Sequence, residues 1–169
     1  DGERLYTGSS DQTIRMWDAN TFTAIGQPMQ GHTNRVNDLA LSPDGTTLVS
    51  ASSDETIRAW DAITGEPIGQ PLVGHGKPVW SANFRTALDR LFLISSGGDG
   101  NIIWWDWENR VPYAPPLRND QESEWMRVSA DGMRLLVSFV NSVVRVIDVS
   151  PPPWSERPCA IANRHLTKE

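Results

Sequence analysis

The side chains able to do chemistry in this sequence are few, and they recur at a fixed interval. His32, Ser50 and Asp54 are the residue types of a nucleophilic triad, in which a carboxylate orients an imidazole and the imidazole draws a proton from a hydroxyl. A matching set, His75, Ser95 and Asp99, follows about 43–45 positions later. An active site grafted on a fold is unique, so the duplication argues against catalysis at either set. The histidines, His32, His75 and His165, stand at no metal-ligand spacing, and no Asp-rich calcium loop is present. Gly97-Gly98-Asp99-Gly100 lacks the lysine and the helix that a phosphate loop needs. No catalytic, metal-binding or cofactor-binding residue is expected.

The elements that position these sets form a repeat. Residues 9–18 read SSDQTIRMWD, 52–61 SSDETIRAWD, 97–106 GGDGNIIWWD and 139–148 FVNSVVRVID. Trp17-Asp18, Trp60-Asp61 and Trp105-Asp106 are 43 and 45 positions apart, and Ile147-Asp148 follows 42 later. In the same register, IGQPMQGH ends at His32 and IGQPLVGH at His75, while Leu117-Arg118-Asn119-Asp120 loses the Gly-His. The phrase SPDG at 42–45 returns as SADG at 129–132. Such a period marks a stacked or closed array. Within a unit, Asn34–Ser42 alternates apolar and polar residues and meets an Asp-Gly turn, Thr46–Ser52 is its hairpin partner, and Thr56–Asp61 is a third strand. Pro67–Val73 is predicted as an outer edge strand, because proline cannot donate to a ladder. The runs IRMW and IIWW are apolar on both faces, which suits a sheet packed between two neighbours. Four strands per unit describe one propeller blade.

The phrase GHTNRVNDLALSPDGTTLVSASSDETIRAWD resembles the WD-repeat (beta-transducin-type) β-propellers, and the resemblance runs over residues 1–149. It implies an all-β chain of four-stranded antiparallel blades, about four in number, with units ending near 18, 61, 106 and 148 and the first incomplete. Propellers span about 4–8 blades, so the chain is expected to be a fragment of a larger propeller, with more blades or other domains in the full-length protein. Asp1 in place of Met likewise predicts a start upstream. Residues 150–169 are read as a Pro-rich exit and tail, with Arg157–Ala162 a candidate outer strand. The shorter phrase TGEPIGQPLVGH is similar to the repeats of fungal NACHT-type signalling NTPases.

The resemblance implies that His32, Ser50, Asp54 and Trp60 form a buried hydrogen-bonded chain within one blade, as do His75, Ser95, Asp99 and Trp105. Thr7, Asp11 and Trp17 are the part of that chain present in the first unit. In the fourth, Val137, Asn141 and Ile147 take the family positions, replacing a polar chain by apolar packing. The Asp turn shares a feature with the Asp-box of sialidase-type propellers, but lacks that motif's Gly and following Thr-Trp. Family architecture also implies a partner-binding face carrying Asn34, Arg35 and Asn37, then Lys77 and Trp80, then Glu122, Glu124 and Trp125, the last unit's register being open by one residue. Trp80 takes the position of Asn37, as a contact anchor or as packing for the adjacent loop, and the same alternatives hold for Trp125. Trp104 and Trp107 are read as inter-blade packing or outer-strand cover.

Composition limits the partners. The 169 residues are 38% hydrophobic and 21% charged, enough to bury a core and to exclude wholesale disorder. A net charge of -6 without a Lys/Arg run argues against nucleic acid and anionic membrane, and the apolar stretch 143–149 is too short to span a bilayer. The single Cys159 excludes an internal disulfide framework, and with no signal-peptide pattern it points to a reducing, cytoplasmic setting. Pro151-Pro152-Pro153-Trp154 reads either as a polyproline ligand or as a stiff domain exit. The expected function is a non-catalytic scaffold that presents a propeller face to protein or peptide partners, in a signalling protein's sensor array. A propeller-type hydrolase and a truncated structural fragment without its own partner are the alternatives.

Overall fold

Short apolar alternations punctuated by Asp-Gly and Asp-Xaa turns favour strands over helices throughout. A computed structural model describes residues 2–87, 89–118, 121–129 and 131–149, and among these there is no helix. The strands form four antiparallel sheets in chain order, each one blade. Blade 1 holds β1 (Arg4–Gly8), β2 (Ile14–Asp18) and β3 (Ala24–Met29). Blade 2 holds β4 (Val36–Leu41), β5 (Thr47–Ser52), β6 (Thr56–Asp61) and β7 (Leu72–Val73). Blade 3 holds β8 (Val79–Ala87), β9 (Arg90–Gly97) and β10 (Asn101–Asp106), with β11 (Val111–Pro112) and β12 (Leu117–Arg118) both pairing with β10. Blade 4 holds β13 (Ser123–Val128), β14 (Arg134–Phe139) and β15 (Val144–Asp148).

The register aligns the blades residue by residue. Leu5 faces Trp17, Leu48 faces Trp60, Leu93 faces Trp105 and Leu135 faces Ile147. Blade 1 therefore begins at the second strand of the pattern and lacks its inner one among the described residues. The continuous outer strand expected over Pro67–Val73 is corrected: only a single bridge, Trp60 to Pro67, and the two-residue β7 remain. Blade 1 has Ala24 opposite Trp17 and keeps a six-residue outer strand. Pro67 is at a non-hydrogen-bonded position, with Asp61 N–H on Glu66 O and Ile68 N–H on Ala59 O at either side, so the ladder holds around it and is lost over residues 69–71, where the chain bends. Blade 3 repeats the break with Pro112 opposite Trp105, leaving β11 and β12 as its two ends. The candidate outer strand at Arg157–Ala162, the proline run at 151–153 with Trp154, Cys159, His165 and the Asn119-Asp120 pair lie outside the described residues.

Three apolar cores alternate with the sheets. Ile14, Met16 and Met29 of blade 1 pack on Leu48 and Trp60 of blade 2. Val49, Ala51, Ile57 and Ala59, from the opposite face of blade 2, pack on Leu93, Ile103 and Trp105 of blade 3. Ile94, Ile102 and Trp104 of blade 3 then meet Met126, Leu135 and Val137 of blade 4. Both faces of blades 2 and 3 are thus buried, which is why Ala59-Trp60 and the run IIWW at 102–105 are apolar at consecutive positions. Trp104 belongs to the third core, and Trp107 covers the second, edge-on to Phe84 at 4.8 Å.

Candidate functional site

In blade 2 the loop ahead of β4 delivers His32 between the β5–β6 turn and the middle of β5. His32 Nδ1 lies 2.7 Å from Asp54 Oδ2 and its Nε2 lies 2.7 Å from Ser50 Oγ. Trp60 Nε1 donates to the same Ser50 Oγ at 2.9 Å. Burial pushes the His32 imidazole below its ordinary value, against the raising effect of Asp54. For Asp54, burial acts upward, but hydrogen bonds from the Thr56 hydroxyl, the Thr33 N–H and His32 outweigh it and hold the carboxyl at about 2. The assignment that follows is a neutral imidazole with Nδ1–H donating to Asp54, so Nε2 accepts from Ser50 and a Ser50 lone pair accepts from Trp60. These are the contacts of a Ser-His-Asp triad. The hydroxyl, however, is fully buried and occupied on both sides, so no carbonyl can approach it.

Blade 3 builds the same chain: His75 Nε2 to Ser95 Oγ at 2.8 Å, Trp105 Nε1 to Ser95 Oγ at 2.8 Å, and His75 Nδ1 to Asp99 Oδ1 at 3.0 Å. Burial lowers His75, while hydrogen bonds from His75, Asn101 and Gly76 lower Asp99 against its own burial. Blade 1 retains Trp17 Nε1 to Thr7 Oγ1 at 2.8 Å, and its Asp11 is bound by Thr13 and ion-paired to Arg15 at 2.9 Å. In blade 4 Val137 and Ile147 occupy the Ser and Trp positions by register, and both pack in the third core. The turn itself persists in every blade. Asp11, Asp54, Asp99 and Asn141 each accept from the backbone N–H two residues on. The intervening Gln12, Glu55, Gly100 and Ser142 all hold a left-handed backbone, with φ from 62° to 73°.

The Asp turns and the loops ahead of β4, β8 and β13 come together on one edge of the blades. Ser53 N–H reaches Arg35 O at 3.0 Å, Gly98 N–H reaches Pro78 O at 2.9 Å, and Val140 N–H reaches Glu122 O at 3.2 Å. Each of these inner strands carries a bulge one residue after it begins, at Asn37, Trp80 and Glu124. That fixes the open register: Glu124 is the counterpart of Trp80, and Trp125 aligns with Asp38 and Ser81. Asn37 is half-buried and donates to Val79 O of the next blade at 2.8 Å. Trp80 is half-buried, its indole edge and the Lys77 stem lying so close to Gly98 that a Cβ there would sit 3.2 Å from Nε1. Lys77 pairs with Glu122 across blades 3 and 4 at 2.6 Å. Asn34, Arg35, Glu124 and Trp125 are exposed, with the Arg127 guanidinium 4.9 Å from the Trp125 ring.

A cluster that sequence reasoning missed lies on the inner strands. Asp38 Oδ2 accepts from Ser81 Oγ at 2.7 Å and from Arg127 Nη1 at 3.1 Å, uniting blades 2, 3 and 4. Asn83 Nδ2 donates to Ser81 Oγ and to Met126 O, each at 3.1 Å. The available signal was Asp38 and Ser81, polar residues at the same register position of two inner strands. Among the described residues no group of three His, Cys, Asp or Glu could hold a metal ion, and no helix is long and apolar enough to cross a membrane.

The family model for the WD domain, G-beta repeat, matches residues 1–18, 24–61 and 65–106. The chain belongs to the WD-repeat family. The match stops at Asp106, where the fourth unit begins to lose its polar chain, yet blade 4 keeps the sheet order, the bulge and the Asx turn of the others. Blade 4 thus shares the backbone geometry of the matched repeats without their signature residues. As WD repeats, the blades form a scaffold suited to protein interaction.

Proposed function

We propose that this WD-repeat chain is a non-catalytic docking module for protein or peptide partners, bound on the edge that carries the Asp turns. The observation that supports this most is the bulge position. One backbone geometry displays Asn37, Trp80 and Glu124 in successive blades, so the scaffold is constant while the displayed chemistry varies. Trp125, 40% exposed, and Arg35 supply the side-chain types that dominate binding energy, with Asn34 and Glu124 beside them. Lys77 and Glu122 neutralise one another at the rim, and Asn37 divides its amide between Val79 O and Ser53, so these three shape the surface more than they anchor a partner. A peptide with an apolar side chain for Trp80 and Trp125, and charges complementary to Arg35 and Glu124, fits this edge.

The His-Ser-Asp-Trp chains are structural in this reading, since the Ser50 and Ser95 hydroxyls are buried and already bonded. A hydrolase screen with turnover lost in a folded Asp54→Asn variant would reverse it. The phrase TGEPIGQPLVGH supports a place in a cytoplasmic sensor array of a signalling NTPase, which the coding sequence flanking residues 1–169 decides. The docking proposal is tested by quantitative affinity capture with the wild type, Trp125→Ala, Arg35→Glu and, on the opposite edge, Thr21→Ala. Partners retained by the wild type and Thr21→Ala but lost from the two rim variants are expected. Identical capture by all four proteins would refute the edge as the docking surface.

A further inference from the structure

On the edge opposite the Asp turns, blade 3 departs from the repeat at three positions that meet in space. The residue after each Trp-Asp pair gives its N–H to the chain ahead of or within the second strand, Ala62 to Thr46 O and Trp107 to Leu91 O. Ala62 is 1% exposed and tucked into the first core, whereas Trp107 is half-buried and lies over the second. Phe84 stands at the register position of Leu41, and its ring meets Trp107 edge-on at 4.8 Å. Arg110 takes the place of Gly65 in blade 2 and Phe22 in blade 1, each N–H closing a turn onto the carbonyl of the preceding Asp106, Asp61 or Asp18 at 2.9 Å. Arg110 holds a left-handed backbone there, with φ 59°, which glycine adopts freely and an L side chain does not. Its guanidinium lies 3.7 Å from the centre of the Trp107 ring.

The other face of the same blade shows what completes such a stack. Arg90 lies over Phe92 and Tyr113 at 5.7 and 5.9 Å, and Asp106 Oδ2 accepts from its guanidinium at 2.6 Å. Arg110 has the aromatic half of that arrangement alone, since among the described residues no carboxylate pairs with it. Partial burial acts on it with no acid to offset the loss of water. Stacking occupies the face of a guanidinium and leaves its in-plane N–H groups free, in the fork that matches a carboxylate. We propose that Arg110 and Trp107 form a second docking site, opposite the Asp turns, for a polypeptide segment presenting one Asp or Glu carboxylate beside an apolar side chain. The carboxylate takes the free edge of Arg110 as Asp106 takes Arg90, and the apolar side chain takes the open part of Trp107 and Val111, which is 50% exposed. Asp106 and the exposed Glu108 in the same turn, with a net charge of -6 overall, disfavour a partner dense in negative charge. Tryptophan and arginine are the side chains that most often anchor an interface. The site does not rest on the Asp-turn edge, and either surface can fail without the other.

Panning a random peptide display library tests this. The bait is the 169-residue chain carrying Arg35→Glu/Trp125→Ala, which disables the Asp-turn edge, and phage that also bind the same chain with Arg110→Gln are discarded. Glutamine already holds the left-handed conformation at Gln12, with φ 73°, so the Arg110→Gln chain folds, as its urea midpoint checks. Enriched peptides are expected to share one Asp or Glu next to an aromatic or branched aliphatic residue. In a synthetic copy, changing that acid to its amide should weaken binding about tenfold with Arg110 present and leave the Arg110→Gln chain unaffected. Restoring Arg35 and Trp125 should not change the affinity. No enrichment, peptides without a carboxylate, or an equal loss from the amide in both proteins overturns the proposal. A short single-stranded DNA that needs Arg110 and binds more tightly than the peptides overturns it too, since phosphate would then be the occupant.

Discussion

Replacing Ser95 by valine isolates what the buried polar chain contributes. The hydroxyl is the acceptor for Trp105 Nε1–H at 2.8 Å and the partner of His75 Nε2 at 2.8 Å. Both partners are buried, His75 with a side chain 1% exposed and Trp105 at 1%, so neither can turn to water. An orphaned buried polar group costs about 1–3 kcal/mol, giving about 2–6 kcal/mol for the two. The added carbon returns about 1 kcal/mol of burial, leaving a net loss of about 1–5 kcal/mol. Blade 4 supplies the contrast: Val137 is fully buried at the same position, beside Met126 and Leu135, with Ile147 where the tryptophan would stand. The expense in Ser95→Val lies in stranding partners, so removing them together should recover stability. The triple variant His75→Leu/Ser95→Val/Trp105→Phe is expected to lose less than the sum of its three single changes. Urea unfolding, compared at constant m, measures each loss. Ser95→Ala strands the same groups without added volume and separates crowding from orphaning. A loss below about 1 kcal/mol for both single variants, or strict additivity in the triple, would refute the reasoning.

Acid should weaken the fold in two stages. Burial holds His32 and His75 below their unfolded value of 6.5, so the unfolded chain takes protons first and stability falls as pH drops through and below that value. Asp54, held at about 2, contributes stability above the unfolded carboxylate value that is lost as pH falls toward 2. A urea midpoint unchanged from about pH 7 to pH 5 would contradict neutral buried imidazoles. Gly74→Ala would place a Cβ 2.8 Å from Trp105 Cη2, and should cost about 1–3 kcal/mol by overpacking. Gly76→Ala, two residues on, meets nothing within 4 Å and should stay within about 0.5 kcal/mol of wild type in the same melt. Asp38→Ala removes the acceptor shared by Ser81 and the partly exposed Arg127, both of which keep Met126 O as a partner, and should cost about 1 kcal/mol by urea unfolding, with Asp38→Asn less harmful.

Much of this architecture could be read before any coordinates, because the repeat supplies its own alignment. Trp60, Trp105 and the Asp-Gly turns mark strand ends, and period-2 alternation marks the strands between them. The extent of the outer strand over Pro67–Val73 is not legible in residue types: Ile25-Gly26-Gln27-Pro28 lies within a six-residue strand, whereas the same four residues at 68–71 interrupt one, and Pro67 itself sits where no N–H is required. On the rim, residue types located the surface but not its register. A bulge advances the chain by one residue without changing the sequence pattern, so Glu124 and Trp125 could not be ordered until the pairing was known.

The Asp38 cluster lay beyond sequence reasoning for a deeper reason, and it changes how the stack behaves. A hydrogen-bond chain such as His32–Ser50–Trp60 lies within one blade, so a repeat phrase can encode it. Asp38, Ser81 and Arg127 come from three different units, and each looks like an isolated departure from the pattern until the inner strands are set side by side. Solenoid-like arrays whose repeats touch only their neighbours can lose them one at a time. Here the Arg127 guanidinium of blade 4 reaches past blade 3 to the carboxylate of blade 2, so detaching blade 4 exposes a charge in a blade it does not pack against. Unfolding of blades 2–4 should accordingly be a single transition in the wild type. It should separate into an early and a late step in Asp38→Ala, with blade 4, which lacks the buried His-Ser-Trp chain, leaving first. Native-state hydrogen exchange resolves this directly: equal protection of β5 and β14 in the wild type, diverging in the variant, is the expected result. Equal protection in both proteins would mean that the apolar cores alone couple the blades.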